Sequence, residues 1–277
     1  MVSKASTREV AGKTLLELGG DYPNLVVIGG DLNKSTHANM FGSAYPDRFF
    51  DFGPAEQNIV SVAAGMASSG KIPVVSTFAV FGSGRPYDQL RVGVSQPRSN
   101  VKIVVTHSGI ITGEDGISAH SIEDIAIMCA LPEFTVIVPA DAIEAAETVK
   151  TAIETEGPFY IRLSRSATPV IHQSGFKFVL GKAETVHGGE DVTIIACGIM
   201  VNAAIDAAKK LLDSNISCRV LNMATLSPLD EDAVVKSARD TGAIVTAEEH
   251  YIFGGLGSKV SQVLSRKLPT PVESVAL

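Results

Sequence analysis

Residues 53–81 read GPAEQNIVSVAAGMASSGKIPVVSTFAVF. From Ala55 to Ser68 the residues are small or apolar with no helix breaker until Ser69-Gly70, which predicts a helix. Ile72 to Ser76 follows as a continuously apolar run, which predicts a strand. A strand that is apolar throughout, rather than alternating, has both faces covered. The helix, with Ile59, Val60, Val62, Ala63, Ala64, Met66 and Ala67, is expected to be buried on every side.

The same rhythm extends both ways. Thr7 to Leu18 predicts a helix capped by Ser6 or Thr7 and stopped by Gly19-Gly20. Leu25 to Ile28, Val101 to Thr106, Phe134 to Val138 and Phe159 to Leu163 predict buried strands, with helices over Ser121 to Ala130 and from an Asp141 cap to about Glu154. Alternating strands and helices of this kind give an α/β fold: a doubly wound, mostly parallel sheet with its chemistry at the strand C-termini. The rhythm breaks at Ser164 to Phe178, where Thr168-Pro169 and Ser174-Gly175 read as linker. A second, smaller α/β unit follows, with strands at Asp191 to Cys197, Cys218 to Leu221 and Ala243 to Ala247. The chain then stops at Val275-Ala276-Leu277, within what reads as a final strand.

Composition narrows the class. With 45% hydrophobic and 19% charged residues among 277, the chain is a packed globular protein. A mean hydropathy of +0.23 suggests apolar surface covered by another chain. The net charge of −7 without a Lys/Arg block gives no nucleic-acid footprint. Cys129, Cys197 and Cys218 have no metal-type spacing, and the latter two read as small buried hydrophobes, which points to a reducing, cytoplasmic setting. The start, Met1 to Ser6, has no apolar signal segment, and no apolar run is long enough for a membrane span.

Four groups carry candidate chemistry. Glu56 opens its helix, where a carboxylate complements the helix dipole or, desolvated, holds and passes a proton. A Glu56 carboxyl far from any subunit junction, facing bulk water or locked in an internal ion pair, would end the argument for the second role. Phe78 and Phe81 are core residues or a stacking wall for a planar ring. His107 ends a strand and precedes Gly113-Glu114-Asp115-Gly116 and His120. That turn is a polar turn, or a site for a cation or for hydroxyls, and the histidine spacing favours polyol recognition over a metal. Arg8, Ser35 and Arg165 are surface residues or a grip on a terminal phosphate, since arginine and hydroxyl suit that group. The chain has no Gly-x-x-x-x-Gly-Lys-Ser/Thr loop, no Gly-x-Gly-x-x-Gly after a strand and no Gly-x-Ser-x-Gly elbow. Gly254-Gly255-Leu256-Gly257 opens a helix but lacks the dinucleotide context.

Taken together, these motifs resemble the C-terminal half of transketolase, a thiamine diphosphate family. The resemblance rests on Ala55-Glu56-Gln57-Asn58, on Ser76-Thr77-Phe78 with Phe81, and on Asp88-Gln89-Leu90-Arg91. It rests also on His107 before Gly113 to Gly116, and on Ser164-Arg165. It covers nearly the whole chain, in the family's order. It implies a pyrimidine-binding domain over 1–165, a linker over 166–177 and a transketolase C-terminal domain over 178–277, short of the family's usual end. The diphosphate motif is absent, as in members split over two polypeptides. The resemblance therefore implies an N-terminal partner subunit carrying that motif and Mg²⁺, and a heterotetramer.

It also implies roles. Glu56 would hydrogen-bond the aminopyrimidine and promote its imino form. Phe78 and Phe81 would wall that ring, with Asp31 and Leu32 near the cofactor across an interface. Asp115 would contact substrate hydroxyls. Arg8, Ser35, His107 and Arg165 would hold the far phosphate of a sugar phosphate. Many members have His or Gln where this chain has Ala119, leaving His120 one place off. The implied reaction moves a two-carbon ketol unit between a ketose phosphate and an aldose phosphate. A 2-oxoacid dehydrogenase β subunit and a 1-deoxyxylulose-phosphate synthase-like half share the layout, but the Gly113 to Gly116 turn and Ser164-Arg165 favour sugar phosphates. A non-catalytic assembly subunit is the alternative from another class.

Overall fold

Strand residues with consecutive numbers point to opposite faces, and here both faces are apolar. Val74, Val104, Phe159 and Ile161 join one core cluster, while Val75, Ile103, Val105 and Tyr160 join another. The first face is covered by helix Thr7–Asp21, through Ala11, Leu15 and Leu18, and by helix Ala142–Glu154, through Ala145, Val149 and Ala152. The second is covered by helix Glu56–Ser68, through Ile59, Val60 and Ala63. A helix layer on each face is what forces the strands to be apolar throughout.

The computed structural model describes residues 3–277. The strands are β1 (Lys4–Ser6), β2 (Leu25–Gly29), β3 (Phe49–Asp51), β4 (Ile72–Phe78), β5 (Lys102–Thr106), β6 (Thr135–Ile137) and β7 (Phe159–Arg162). They continue with β8 (Ala167–Pro169), β9 (Glu184–His187), β10 (Val192–Ala196), β11 (Cys218–Asn222), β12 (Thr225–Ser227), β13 (Ile244–Ala247) and β14 (Val272–Val275). The first sheet has the order β12-β6-β7-β5-β4-β2-β3 and is parallel except for β12. The smaller sheet has the order β14-β13-β10-β11-β9 and is parallel except for β9. The fold is thus the expected α/β pair: a large parallel sheet and a second, smaller α/β domain.

Local signals hold where a side chain makes them. Ser6 accepts the Glu9 N–H and Asp141 accepts the Glu144 N–H, so both caps are real. Three features lie outside any local signal. β12 crosses from the C-terminal half to pair with β6. The stretch that reads as linker contains β8, which pairs antiparallel with β1. The core cluster under helix Glu56–Ser68 continues into the second domain through Ile195, Cys197, Leu221 and Leu226.

One expectation fails. Helix Glu56–Ser68 is not buried on every side: Gln57, Ser61, Gly65 and Ser68 form an exposed stripe. They recur at one-turn spacing, so four small or polar residues among many apolar ones suffice to open one face.

Candidate active site

In a parallel sheet all carboxyl ends lie on one edge. That edge collects Asp31 and Leu32 after β2, Glu56 after β3, Phe78 at the end of β4, His107 after β5 and Arg165 after β7.

Glu56 is the first residue of its helix and only 3% exposed. Its two carboxylate oxygens accept from Arg85 Nη1 at 2.9 and 3.0 Å. This is the internal ion pair that counted against Glu56, and the lone, desolvated acid expected from the sequence is a paired one. The pair, however, lies at a mouth lined by Pro54, Ala55, Gln57 and Asn58, and Arg85 is 49% exposed. Arg85, half in water, is the partner that can turn away into solvent. Arg85 also lies over the Phe81 ring, with its guanidinium carbon 4.0 Å from the centroid. The Glu56 carboxylate and the Phe81 face therefore already grip one flat, nitrogen-rich donor. They form a corner with the acceptor and the stacking surface that an aminopyrimidine needs.

Behind Phe81 the aromatic stack continues inward. Phe78 lies 5.9 Å from Phe81 and 3.7 Å from the His107 ring, nearly parallel to both. Phe78 thus stacks with both rings. His107 is buried in the left-handed region at φ +58°, where the backbone turns the ring back onto Phe78. Burial, and then the nearby charges of Arg8, Arg165 and His37, push its imidazole down to about 3. It is neutral at physiological pH. Its Nδ1 is 2.8 Å from the Thr106 hydroxyl. When that hydroxyl donates to Nδ1, Nε2 carries the proton and is free to donate.

Arg8 and Arg165 are brought together. Arg8 Nε donates to the Arg165 carbonyl at 3.0 Å, and Arg8 Nη1 donates to the Ser35 carbonyl at 2.5 Å. Burial, followed by repulsion from Arg165, lowers the Arg8 pKa. Arg165 in turn donates to Glu114 at 2.8 Å and approaches Asp115 at 3.6 Å. Two guanidiniums with a neutral histidine beside them and a carboxylate turn across from them suit a phosphorylated polyol: charge for the phosphate, acceptors for the hydroxyls.

Other residues are placed differently. Asp31, Leu32 and Ser35 line an open cleft of about 590 Å³ with Asn33, Asn39 and Phe49, separate from the mouth at Glu56. It is the Ser35 carbonyl, not its hydroxyl, that meets Arg8. His120 Nε2 lies 3.1 Å from the Gly113 carbonyl, folded back on its own turn, and Ala119 is buried. Among the described residues no group of His, Cys, Asp and Glu could hold a metal ion, and no helix is long and apolar enough to cross a membrane. The Gly255–Gly257 helix start is closed from within. Glu248 accepts the Leu256 and Gly257 N–H groups at 2.7 and 2.8 Å, and a Cβ at Gly255 would collide with that carboxylate.

Sequence reasoning missed two site residues. Gly82-Ser83-Gly84-Arg85-Pro86 reads in the sequence as a loop at the active edge; in the structure Arg85 follows helix Ala79–Gly84, and nothing in the sequence signals that its side chain turns to Glu56. Asp51, at the end of β3, accepts the Asp31 and Gly53 N–H groups at 3.1 and 2.9 Å and also binds the Asn33 amide. A carboxylate at the C-terminal end of a parallel strand was the available signal.

Comparison with known proteins decides among the thiamine-type layouts. Residues 3–170 match the transketolase pyrimidine-binding domain and residues 181–277 the transketolase C-terminal domain. The chain belongs to the transketolase family. It is 44% identical to a putative transketolase C-terminal section of Methanocaldococcus jannaschii, over 93% of this chain and 81% of that one. It is 39% identical to a 6-deoxy-6-sulfo-D-fructose transketolase subunit of a Clostridium species, over 95% and 82%. It spans only 42% of human transketolase, at 37% identity. Among solved structures, a split-gene transketolase described as an inactive β4 tetramer superposes with a TM-score of 0.92 at 48% identity, over 99% of this chain and 90% of that one. The chain thus matches the C-terminal section of transketolases, and its family is thiamine diphosphate dependent.

Proposed function

We propose that this chain is the C-terminal subunit of a two-polypeptide transketolase that moves a two-carbon ketol unit from a ketose phosphate to an aldose phosphate. The single observation that carries the reading is the Glu56–Phe81 corner, with the Arg8–Arg165 pair and His107 on the same sheet edge. When bound, thiamine diphosphate supplies a nucleophilic carbon that stabilises a carbanion.

This chain's share is binding and proton placement. Glu56 would hydrogen-bond the aminopyrimidine and Phe81, paired with Phe78, would stack on it, with Asp31 and Leu32 at a neighbouring rim. Because Arg85 now fills that corner, the cofactor must displace it. Arg8, Arg165 and the neutral His107 would hold the substrate's far phosphate, and Asp115 its hydroxyls. His107 serves there as a hydrogen-bond donor and carries no charge.

Nothing in this chain matches the family's diphosphate and Mg²⁺ motif, so a second polypeptide would provide it. The name of the split-gene structural neighbour, an inactive tetramer of β chains, supports that division of labour. The relatives named for sulfofructose and for apulose 4-phosphate suit the same kind of ligand, a sugar chain with an anionic end.

The experiment is reconstitution. The purified chain alone is expected to show no turnover. Mixed with a subunit bearing the diphosphate motif, thiamine diphosphate and Mg²⁺, it is expected to convert xylulose 5-phosphate and ribose 5-phosphate and to leave pyruvate untouched. Appreciable turnover by the chain alone, or preference for pyruvate, would overturn the proposal.

A further inference from the structure

The substrate-facing turn is held by the second domain. Glu249, two residues past the end of β13, is almost fully buried and reaches across to the first domain. Its Oε1 accepts the Ile111 N–H at 2.6 Å, at the start of the Ile110–Asp115 turn. The fit is close: Gly109 has φ +72°, and a Cβ there would lie 2.1–2.5 Å from the Glu249 carboxylate atoms.

The far foot of the same segment is tied to the same place. Gly109 N–H donates to the Ser121 carbonyl at 2.8 Å, and Tyr251 N–H donates to the Ile122 carbonyl at 2.8 Å. Arg162 then donates to both the Ser121 and Glu249 carbonyls, at 2.9 and 3.1 Å. Between these feet the loop is held by local bonds among Gly113, Gly116, Ala119 and His120 and by the Arg165 contacts to Glu114 and Asp115, and Ile117 at its tip is 86% exposed. The position of Glu114 and Asp115 opposite Arg165 therefore depends on where the feet are set.

We propose that Glu249 is a positioning residue: its carboxylate fixes the Gly109–Ile122 loop so that Asp115 faces the sugar-phosphate site. This gives the C-terminal domain a part in substrate recognition. The substrate half of the inference rests on the transketolase reading above, and the loop half does not.

The test uses two readouts. In amide hydrogen exchange on the full chain, without cofactor, Glu249→Ala is expected to speed exchange of peptides spanning 109–122 by about tenfold, as losing a bond to a charged group would. Peptides from β4, β5 and β10 are expected to stay unchanged. In the reconstituted enzyme the same variant is expected to raise KM for sugar phosphates about tenfold, with kcat and thiamine diphosphate affinity changed far less. Glu249→Gln keeps an acceptor oxygen at the same reach and is expected to restore both readouts. Glu249→Asp keeps the charge, falls short of Ile111 and is expected to resemble the alanine variant; it serves if the alanine variant does not fold. Unchanged exchange at 109–122 overturns the inference. Faster exchange with unchanged KM overturns its substrate half. A wild-type complex that rejects sugar phosphates sinks the transketolase reading and leaves the exchange result standing as the test of the loop.

Discussion

Two of the carboxylate–arginine pairs in the first domain bury their acid, and they differ in one respect that decides what each can do. Asp124 and Arg162 are both buried, at 0% and 3% side-chain exposure, with Nε 2.8 Å from Oδ2. The Tyr160 hydroxyl donates to the same oxygen at 2.7 Å, and Arg162 Nη2 donates to the Ser121 and Glu249 carbonyls. Asp124 raises the Arg162 pKa against the opposing effect of burial, so the guanidinium keeps its charge. Glu56 is as deeply buried, but its Arg85 is half in water and makes no other hydrogen bond to a side chain. The first pair is a closed junction between strand, loop and second domain. The second is an acid with a removable cover. Burial of a charge pair alone does not mark a functional site; what matters is whether one partner can leave.

Breaking the closed junction is expected to have the largest effect. Asp124→Ala strands a buried guanidinium and leaves the Tyr160 hydroxyl without an acceptor. The cost is about 3–5 kcal/mol of stability, read as a shift in the denaturant midpoint. A loss within about 1 kcal/mol would mean that water reaches Arg162 and that the two pairs are alike.

Next comes the acid at the mouth. Glu56→Gln keeps the shape and removes the charge. In the reconstituted complex it is expected to cost about 100-fold in turnover, the usual scale for a proton-handling group, with assembly unchanged by size-exclusion chromatography. A variant with full turnover would return Glu56 to a helix-dipole role and would favour the non-catalytic subunit reading.

Why these pairs were unequally legible follows from their chemistry. Phe78, Phe81, His107 and Arg165 follow or end apolar strands, and a parallel sheet must bring such positions to one edge, while Glu56 is marked by opening a small-residue helix. The strand pattern thus fixes the sheet and its active edge from the sequence. Arg85 and Glu249 carry no such mark. Glu249 meets Ile111 across 138 residues of chain, and Arg85 folds back to Glu56 across 29. A contact between residues at turns and element ends leaves no periodic trace in either. The crossing of β12 to β6 was hidden for the same reason, since Thr225–Ser227 is too short to show a pattern. Helix Glu56–Ser68 misled in the other direction, because counting apolar residues conceals a narrow exposed stripe.

The smallest effect sharpens the comparison most. If Arg85 is a cover that the cofactor displaces, removing it takes away a competitor for both the Glu56 carboxylate and the Phe81 face. Arg85→Ala is expected to change stability by less than about 1 kcal/mol, because Arg85 is half in water and its removal opens the mouth so that water reaches the Glu56 carboxylate it covered. Thiamine diphosphate affinity of the reconstituted complex, measured by calorimetry, is expected to tighten by the factor that such a pair is worth, about fivefold at most. The paired state would then act as a minor tax on binding that the variant removes. Weaker binding by Arg85→Ala would show instead that the guanidinium stays and holds the cofactor. The mouth at Glu56 would then be a second fixed junction, and the contrast with Asp124–Arg162 would collapse.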